Sequence, residues 1–145
     1  TADQGGLSMT RFVPFCLVGA SGVVVDMGIV SLMAHFTPVP LAMGKAIACE
    51  VAIANNFLWN DRWTFRGQKG SSGSWRRFVR FNGTALAGLA LNVALFQCLV
   101  RGVELNMYVA NAVAIGLVAG FNYALSQRWV WGAHATQLRA IVWRK

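Results

Sequence analysis

Charge is what this sequence has least of, and negative charge is scarcest: Asp and Glu number 5 among 145 residues, Lys and Arg 13, and charged residues make up 12% of the chain. Soluble domains keep polar side chains over much of each helix surface, so this scarcity, beside 56% hydrophobic residues and a mean hydropathy of +0.49, excludes a soluble domain of this size. Cysteine and histidine are sparse as well. Cys16, Cys49 and Cys98 all fall in apolar runs, their number is odd, and none has a zinc-like spacing to His35 or His134, so neither a disulfide nor a metal site is expected. There is no GxSxG elbow, no phosphate-cradling glycine loop before a helix and no pair of histidines, and Ser21 lacks a candidate base. No catalytic residue and no cofactor is therefore expected, and the chain is not expected to be an enzyme.

What fills the sequence instead is apolar runs of membrane-spanning length. Four can be read, at about 12–36, 41–59, 81–100 and 107–125. Each is long enough to cross a hydrocarbon layer of about 30 Å as a helix rising 1.5 Å per residue. TPVP at 37–40 joins the first two and RGVELN at 101–106 the last two, links short enough to predict tight helical hairpins. Between the pairs, RGQKGSSGSWRR at 66–77 is polar and rich in Gly and Ser and predicts a flexible loop outside the bilayer. The opening TADQGGLSMT has no basic, apolar and cleavage-site succession, so it is not expected to act as a signal peptide. The expected fold is an all-α membrane protein, one domain of four transmembrane helices over 1–145, arranged as two tandem helical hairpins of like orientation.

The placement of basic residues predicts which way the hairpins point. Of the 13 Lys and Arg, only Lys45 and Arg101 fall toward the short links. The others (Arg11, Arg62, Arg66, Lys69, Arg76, Arg77, Arg80, Arg128, Arg139, Arg144 and Lys145) fall toward the termini or the central loop. With an even number of crossings these regions share one side, and the positive-inside rule makes it cytoplasmic. The formal charge of +8 then reads as a topology signal in a multi-pass protein of the cytoplasmic (inner) membrane, with both termini cytoplasmic. A nucleic-acid partner is not expected, because no soluble basic surface is present to carry it.

The chain also writes one ending twice: NNFLWNDRWTF at 55–65 and NYALSQRWVW at 122–131. A shift of 66 positions, without a gap, superposes Arg11, Phe12 and Val13 on Arg77, Phe78 and Val79, Phe15 on Phe81, and Gly22 on Gly88. The same shift superposes Ala46 on Ala112, Ala48 on Ala114, Asn56 on Asn122, and Arg62 and Trp63 on Arg128 and Trp129. Asp26 meets Asn92, Phe57 meets Tyr123 and Phe65 meets Trp131 in the same register. Small and apolar matches are common in membrane spans, but shared Arg, Asn and Trp at one offset are not. The pattern is that of a duplicated hairpin, about 11–65 and 77–131. Because each copy has an even number of spans, an axis along the membrane normal is expected, unlike that of inverted-repeat transporters.

RFVPFCLVGASGVVVDMGIVSLM resembles the first span of GtrA-like proteins, and NNFLWNDRWTF is similar to the signature that closes their second span. The likeness covers about 11–131. It implies a small four-helix membrane protein that moves polyprenyl-phosphate-linked sugars across the cytoplasmic membrane for cell-surface polysaccharide or glycan modification, or that partners the enzymes making or using them. A related four-helix domain is fused to some dolichyl-phosphate mannose synthase-like enzymes. The second copy departs from the pattern: Asn92 stands in place of the acid, and SQRWVW is a degenerate ending.

Such a lipid presents an anionic phosphate, a polar sugar and a tail that stays in hydrocarbon. Arg62 and Arg128, at the ends of the second and fourth spans, could grip the phosphate through paired hydrogen bonds, and Trp63 and Trp129 could stack on the sugar. The plainer alternative is that all four are interfacial anchors, but anchors do not require Asn56 and Asn122 a turn and a half earlier. Asp26 and Glu50 lie near mid-span, where an ionised carboxylate costs roughly 2.5–3.5 kcal/mol on insertion scales. They are expected, with Asn92, to line a polar groove. The alternative is that they are protonated, or paired with Lys45 or the span asparagines, and specify packing. Gly22, one turn from Asp26, would admit another backbone or leave room beside the polar group, and Gly88 repeats it. Ala112, Gly116 and Gly120 form a small-residue stripe whose counterpart is Ala46, Glu50 and Ala54, so Glu50 is expected at the interior or at a subunit interface.

Two functions remain open at this level. One is a translocase that flips the sugar lipid; the other is a non-catalytic adaptor that recruits a membrane glycosyltransferase through its basic loop. The mid-span acids favour the first. The small size favours the second, an objection that homo-oligomerisation would ease. A drug or cation exporter is a weaker third, disfavoured by the Arg-Trp endings.

Overall fold

The computed structural model describes residues 9–68 and 72–132. Lys69, Arg139, Arg144 and Lys145, counted above toward orientation, lie outside the described residues, as do His134 and residues 1–8 of the opening TADQGGLSMT. Among the described residues all regular structure is helical: α1 Met9–Phe36, α2 Leu41–Trp59, α3 Ser74–Gln97 and α4 Met107–Leu125. That is what long apolar sequences require, since a helix satisfies its backbone hydrogen bonds internally where water cannot. The bounds of α2 and α4 coincide with the second and fourth apolar runs.

The third element differs from expectation. The polar segment 66–77 was expected to be loop throughout, yet α3 begins at Ser74. Trp75 and Phe78 stand three residues apart with ring centroids at 5.6 Å, a pairing that a helix makes and that a composition of Gly, Ser and Arg does not reveal.

Among the described residues three helical stretches are long and apolar enough to cross a membrane: Thr10–Phe36, Ser74–Gly102 and Met107–Val130. The helix containing α2 is less apolar, because Lys45, Glu50, Asn55, Asn56, Asn60, Asp61 and Arg62 all fall within it and its closing turn.

The chain divides after Gly67 into two compact units. In the first, α2 runs back along α1: Gly22 faces Asn56, Asp26 faces Cys49 and Lys45, and Met33 packs on Gly44. The reversal at 37–40 is short because Pro40 immediately precedes α2, while Thr37 closes α1 by donating from its amide and its hydroxyl to the Met33 carbonyl at 3.1 and 2.7 Å. In the second unit, α4 returns along α3, with Gly83 beside Trp129 and Gly88 beside Asn122. Asn106 caps α4 by accepting from the Tyr108 amide at 2.9 Å. Glu104 reaches φ 58°, the left-handed geometry the link needs in order to turn.

Positions that the offset of 66 pairs in the sequence are buried alike. Val18 and Thr84, Ala48 and Ala114, Ala52 and Val118, Phe57 and Tyr123, Asn60 and Ser126, and Phe65 and Trp131 are all buried, each pair at equivalent places of the two units. Ala48 and Ala114 are both at 0% exposure, which identifies the close seam in each unit. The stripe Ala112, Gly116 and Gly120 is not that seam. Ala110, Ala114 and Val118 are buried instead, and a β-carbon added to Gly116 or Gly120 would meet nothing within 4 Å.

Candidate functional site

The doubled ending is built on a π-helical turn. α2 continues into one over Asn60–Thr64 and α4 into one over Ser126–Val130. Each closes with a five-residue hydrogen bond, Phe65 N–H to Asn60 C=O at 2.8 Å and Trp131 N–H to Ser126 C=O at 3.0 Å. The wider turn brings the last aromatic inward. Phe65 meets Phe15 edge-on at 6.2 Å and Trp131 meets Phe81 at 5.5 Å, and both inward rings are at 0% exposure. The Arg-Trp pairs point the other way: Arg62, Trp63, Arg128 and Trp129 are all exposed. These pairs are therefore not core residues in either unit, and stand available at the surface of the turn.

In the second copy the tryptophan is braced by α3. The Trp129 ring rests against Gly83, where an added β-carbon would be 3.5 Å from the ring, and its carbonyl accepts from Arg80 Nη1 at 3.2 Å. Asp61, in the first π-turn, is buried at 7% exposure; it was visible in the motif, but its burial could not be read from the sequence.

Asn56 and Asn122 sit one turn before these π-turns, and each lies flat in a notch left by a glycine of the facing helix. A β-carbon on Gly22 would fall inside van der Waals contact with the Asn56 amide, 2.7 Å from Cγ; on Gly88 it would lie 2.8 Å from Asn122 Cγ. Of the two roles open to Gly22, the structure selects room for a polar group, and the group comes from across the seam. The Oδ1 atoms of both asparagines are buried without a hydrogen-bond partner. A buried acceptor without a partner carries a desolvation cost, and each seam carries one at this level.

Further along, toward the short links, the two units diverge. Asp26 is half-buried and forms an ion pair with Lys45 of α2, and Cys49 Sγ approaches its other oxygen at 3.5 Å. Pairing with Lys45 is thus the arrangement Asp26 adopts. Glu50 is exposed on α2, so its expected interior position is not observed within the unit; the seam is taken by Ala48 and Ala52, one helical face away. In the second unit the equivalents of Asp26 and Lys45 are Asn92 and Asn111, and between them opens a cavity of 630 Å³. Gln97, Arg101 and Tyr108 add polar groups to its wall, with Phe96 and Met107 among the apolar ones. Arg62 and Arg128 do not line this cavity. Asn92 was singled out from the sequence; Gln97, Arg101 and Tyr108 were not, because only the pairing of α3 with α4 brings them together.

Within the second unit the candidate residues form a sequence along the hairpin rather than one pocket. Asn111, Asn122 and Arg128 are separated along α4 by about 17 and 9 Å at 1.5 Å per residue. No group of three or more His, Cys, Asp or Glu that could hold a metal occurs among the described residues.

A sequence model of the family described as GtrA/DPMS, transmembrane domain, matches residues 14–131. A dolichol-phosphate mannosyltransferase of Pyrococcus furiosus is 34% identical over 122 residues, which is 83% of this chain and 34% of that protein. The chain thus spans about a third of the length of this relative.

Proposed function

Because the chain belongs to the GtrA/DPMS transmembrane-domain family, we propose that it carries a polyprenyl-phosphate-linked sugar across the cytoplasmic membrane as a flippase, without catalysing a covalent step. The similarity to a dolichol-phosphate mannosyltransferase supports the polyprenyl-phosphate sugar as the cargo. The observation that carries the translocation reading is the pair of π-turns, each burying an aromatic while presenting an arginine and a tryptophan outward. A guanidinium donates two parallel hydrogen bonds to a phosphate, and an exposed indole face suits a sugar ring. Asn56 and Asn122 then offer acceptors at the next level of each seam, and Asn92 of the second unit at the level beyond.

In this reading α2 also crosses the bilayer, making one four-helix domain of two like-oriented hairpins. Both termini and the central segment lie on the cytoplasmic side. Glu50 and the small-residue stripe Ala112, Gly116 and Gly120 face a second copy of the chain, which encloses a path that four helices alone leave open. Reconstitution of the full chain alone into liposomes, with a fluorescent polyprenyl-phosphate sugar scored for access from outside, tests the proposal. Flipping above protein-free vesicles, reduced at least tenfold by the double substitution Arg62→Gln and Arg128→Gln, is expected; no flipping by the well-folded chain refutes it.

A second reading is favoured by one finding, that the chain matches only about a third of a mannosyltransferase. The chain then serves as an adaptor that positions a membrane glycosyltransferase. Retrieval of such an enzyme with the full chain, together with absence of flipping by the chain alone, would establish it.

A further inference from the structure

The duplicated hairpins carry the same ending but not the same middle. At the level of Asp26 and Lys45 the first unit is bridged from α1 to α2 by an ion pair. The equivalent residues of the second unit, Asn92 and Asn111, are both amides, and among the described residues neither makes a side-chain hydrogen bond. The two seams diverge here: one is tied by charge, the other opens into the 630 Å³ cavity. That volume lies within the roughly 300–1,000 Å³ typical of sites for small organic ligands.

The wall chemistry is ordered along the helix. Asn92 lies on α3 and Arg101 on a π-helical turn, Cys98–Gly102, that continues it, nine residues apart or on the order of 13 Å. Asn92 therefore lies well inside the span while Arg101 stands near its end. An amide at such depth costs free energy unless it finds partners, and the described residues supply none. Amides both donate and accept, which suits the vicinal hydroxyls of a sugar, and Tyr108 and Gln97 extend the same capacity toward the rim. Arg101 at the mouth supplies a planar cation for a phosphate. Apolar walls from Phe96 and Met107 accompany these groups, as in sites that bind one face of a pyranose.

We propose that the groove between α3 and α4 holds the glycosyl-phosphate headgroup of the cargo at the end of the hairpin away from Trp129, with the sugar on Asn92 and Asn111 and the phosphate on Arg101. In the first hairpin the corresponding level is bridged by Asp26 and Lys45, so no headgroup is held at that level. This rests on the reading of the cargo given above and adds to it an assigned site and a division of labour between the repeats.

The test transfers the lock. Asn92→Asp with Asn111→Lys installs in the second hairpin the ion pair of the first, and Asn92→Leu with Asn111→Leu removes the amides without adding charge. The full chain in phosphatidylcholine nanodiscs is titrated with radiolabelled polyprenyl-phosphate glucose, polyprenyl phosphate and glucose 1-phosphate, with a melting curve for each variant. The expected result is that both folded variants lose at least tenfold in affinity for the glucosylated lipid and retain affinity for polyprenyl phosphate, while Arg101→Gln weakens both lipids. Unchanged preference for the glucosylated lipid in either folded double variant overturns the proposal, as does equal loss of both lipids. Glucose 1-phosphate binding as tightly as the lipid overturns the assignment to a lipid headgroup. If the wild-type chain neither binds nor flips the glucosylated lipid, the cargo reading fails; if it does both and the double variants match it, only the assigned groove fails.

Discussion

Substituting Gly22 by alanine tests the notch on which the seam of the first unit depends. The added β-carbon would lie 2.7 Å from Asn56 Cγ, where ordinary carbon contacts lie near 3.5 Å, so the amide or the whole of α2 must recede by about 1 Å. A gap of that size along the seam forfeits roughly a quarter to a half of the dispersion well at each affected contact. Overpacking of this kind costs about 1–3 kcal/mol. Alanine also favours a helix interior over glycine by about 0.5–1 kcal/mol, which acts in the opposite direction. Gly28 separates the two effects, because a β-carbon there meets nothing within 4 Å. Gly28→Ala is expected to be neutral or stabilising, and Gly22→Ala to be less stable than Gly28→Ala by about 1–3 kcal/mol. The measurement is reversible unfolding of the full chain in mixed micelles by titration with a denaturing detergent. Asn56→Ala provides the control, since it removes the colliding group and its Oδ1 has no hydrogen bond to lose. In that background Gly22→Ala should recover the helix gain alone. Equal effects of Gly22→Ala and Gly28→Ala, or the same Gly22→Ala cost with and without Asn56, would refute the seating of the amide on the glycine.

Three further outcomes follow from the same geometry. Phe65→Ala and Trp131→Ala each remove a ring at 0% exposure and are expected to cost about 3–5 kcal/mol in unfolding, whereas Trp63→Ala and Trp129→Ala, with rings about half exposed, should cost less than about 1 kcal/mol and act on cargo handling instead. Lys45→Met leaves the Asp26 carboxylate without its cation inside a span, so it should lower stability, and adding Asp26→Asn should recover most of that loss on the same unfolding curve. In a cysteine-free chain, Gly73→Cys should react with an impermeant maleimide from the cytoplasmic face only, and labelling from outside intact cells would reverse the orientation proposed here.

Much of this architecture could be read directly. The limits of α2 and α4 follow from where apolar runs start and stop at TPVP and RGVELN, because a helix in hydrocarbon ends where polar or proline-bearing sequence begins. The offset of 66 anticipated equivalent burial, because residues matched in the two copies face equivalent neighbours. The start of α3 at Ser74 could not be read from composition, since Gly, Ser and Arg around Trp75 resemble a loop until the helical pairing of Trp75 with Phe78 is seen. Glu50 was expected at the interior or at a subunit interface from the small residues at its repeat positions, but smallness marks either a seam or a bare face, and within the unit Ala48 and Ala52 take the seam while Glu50 is exposed.

The sequence by itself determined that the chain is helical and apolar, that it resembles itself at an offset of 66, and that an arginine and a tryptophan recur at each ending. Hydropathy, periodicity and self-similarity are properties of one dimension. Only the tertiary structure decided that Asn56 and Asn122 lie on Gly22 and Gly88, that a π-turn buries Phe65 and Trp131 while exposing the Arg-Trp pairs, and that Asp26 is tied to Lys45 where Asn92 and Asn111 leave a cavity. Each of these depends on the register between two antiparallel helices, and the spacing of residues along one helix does not specify which residue of the other it meets.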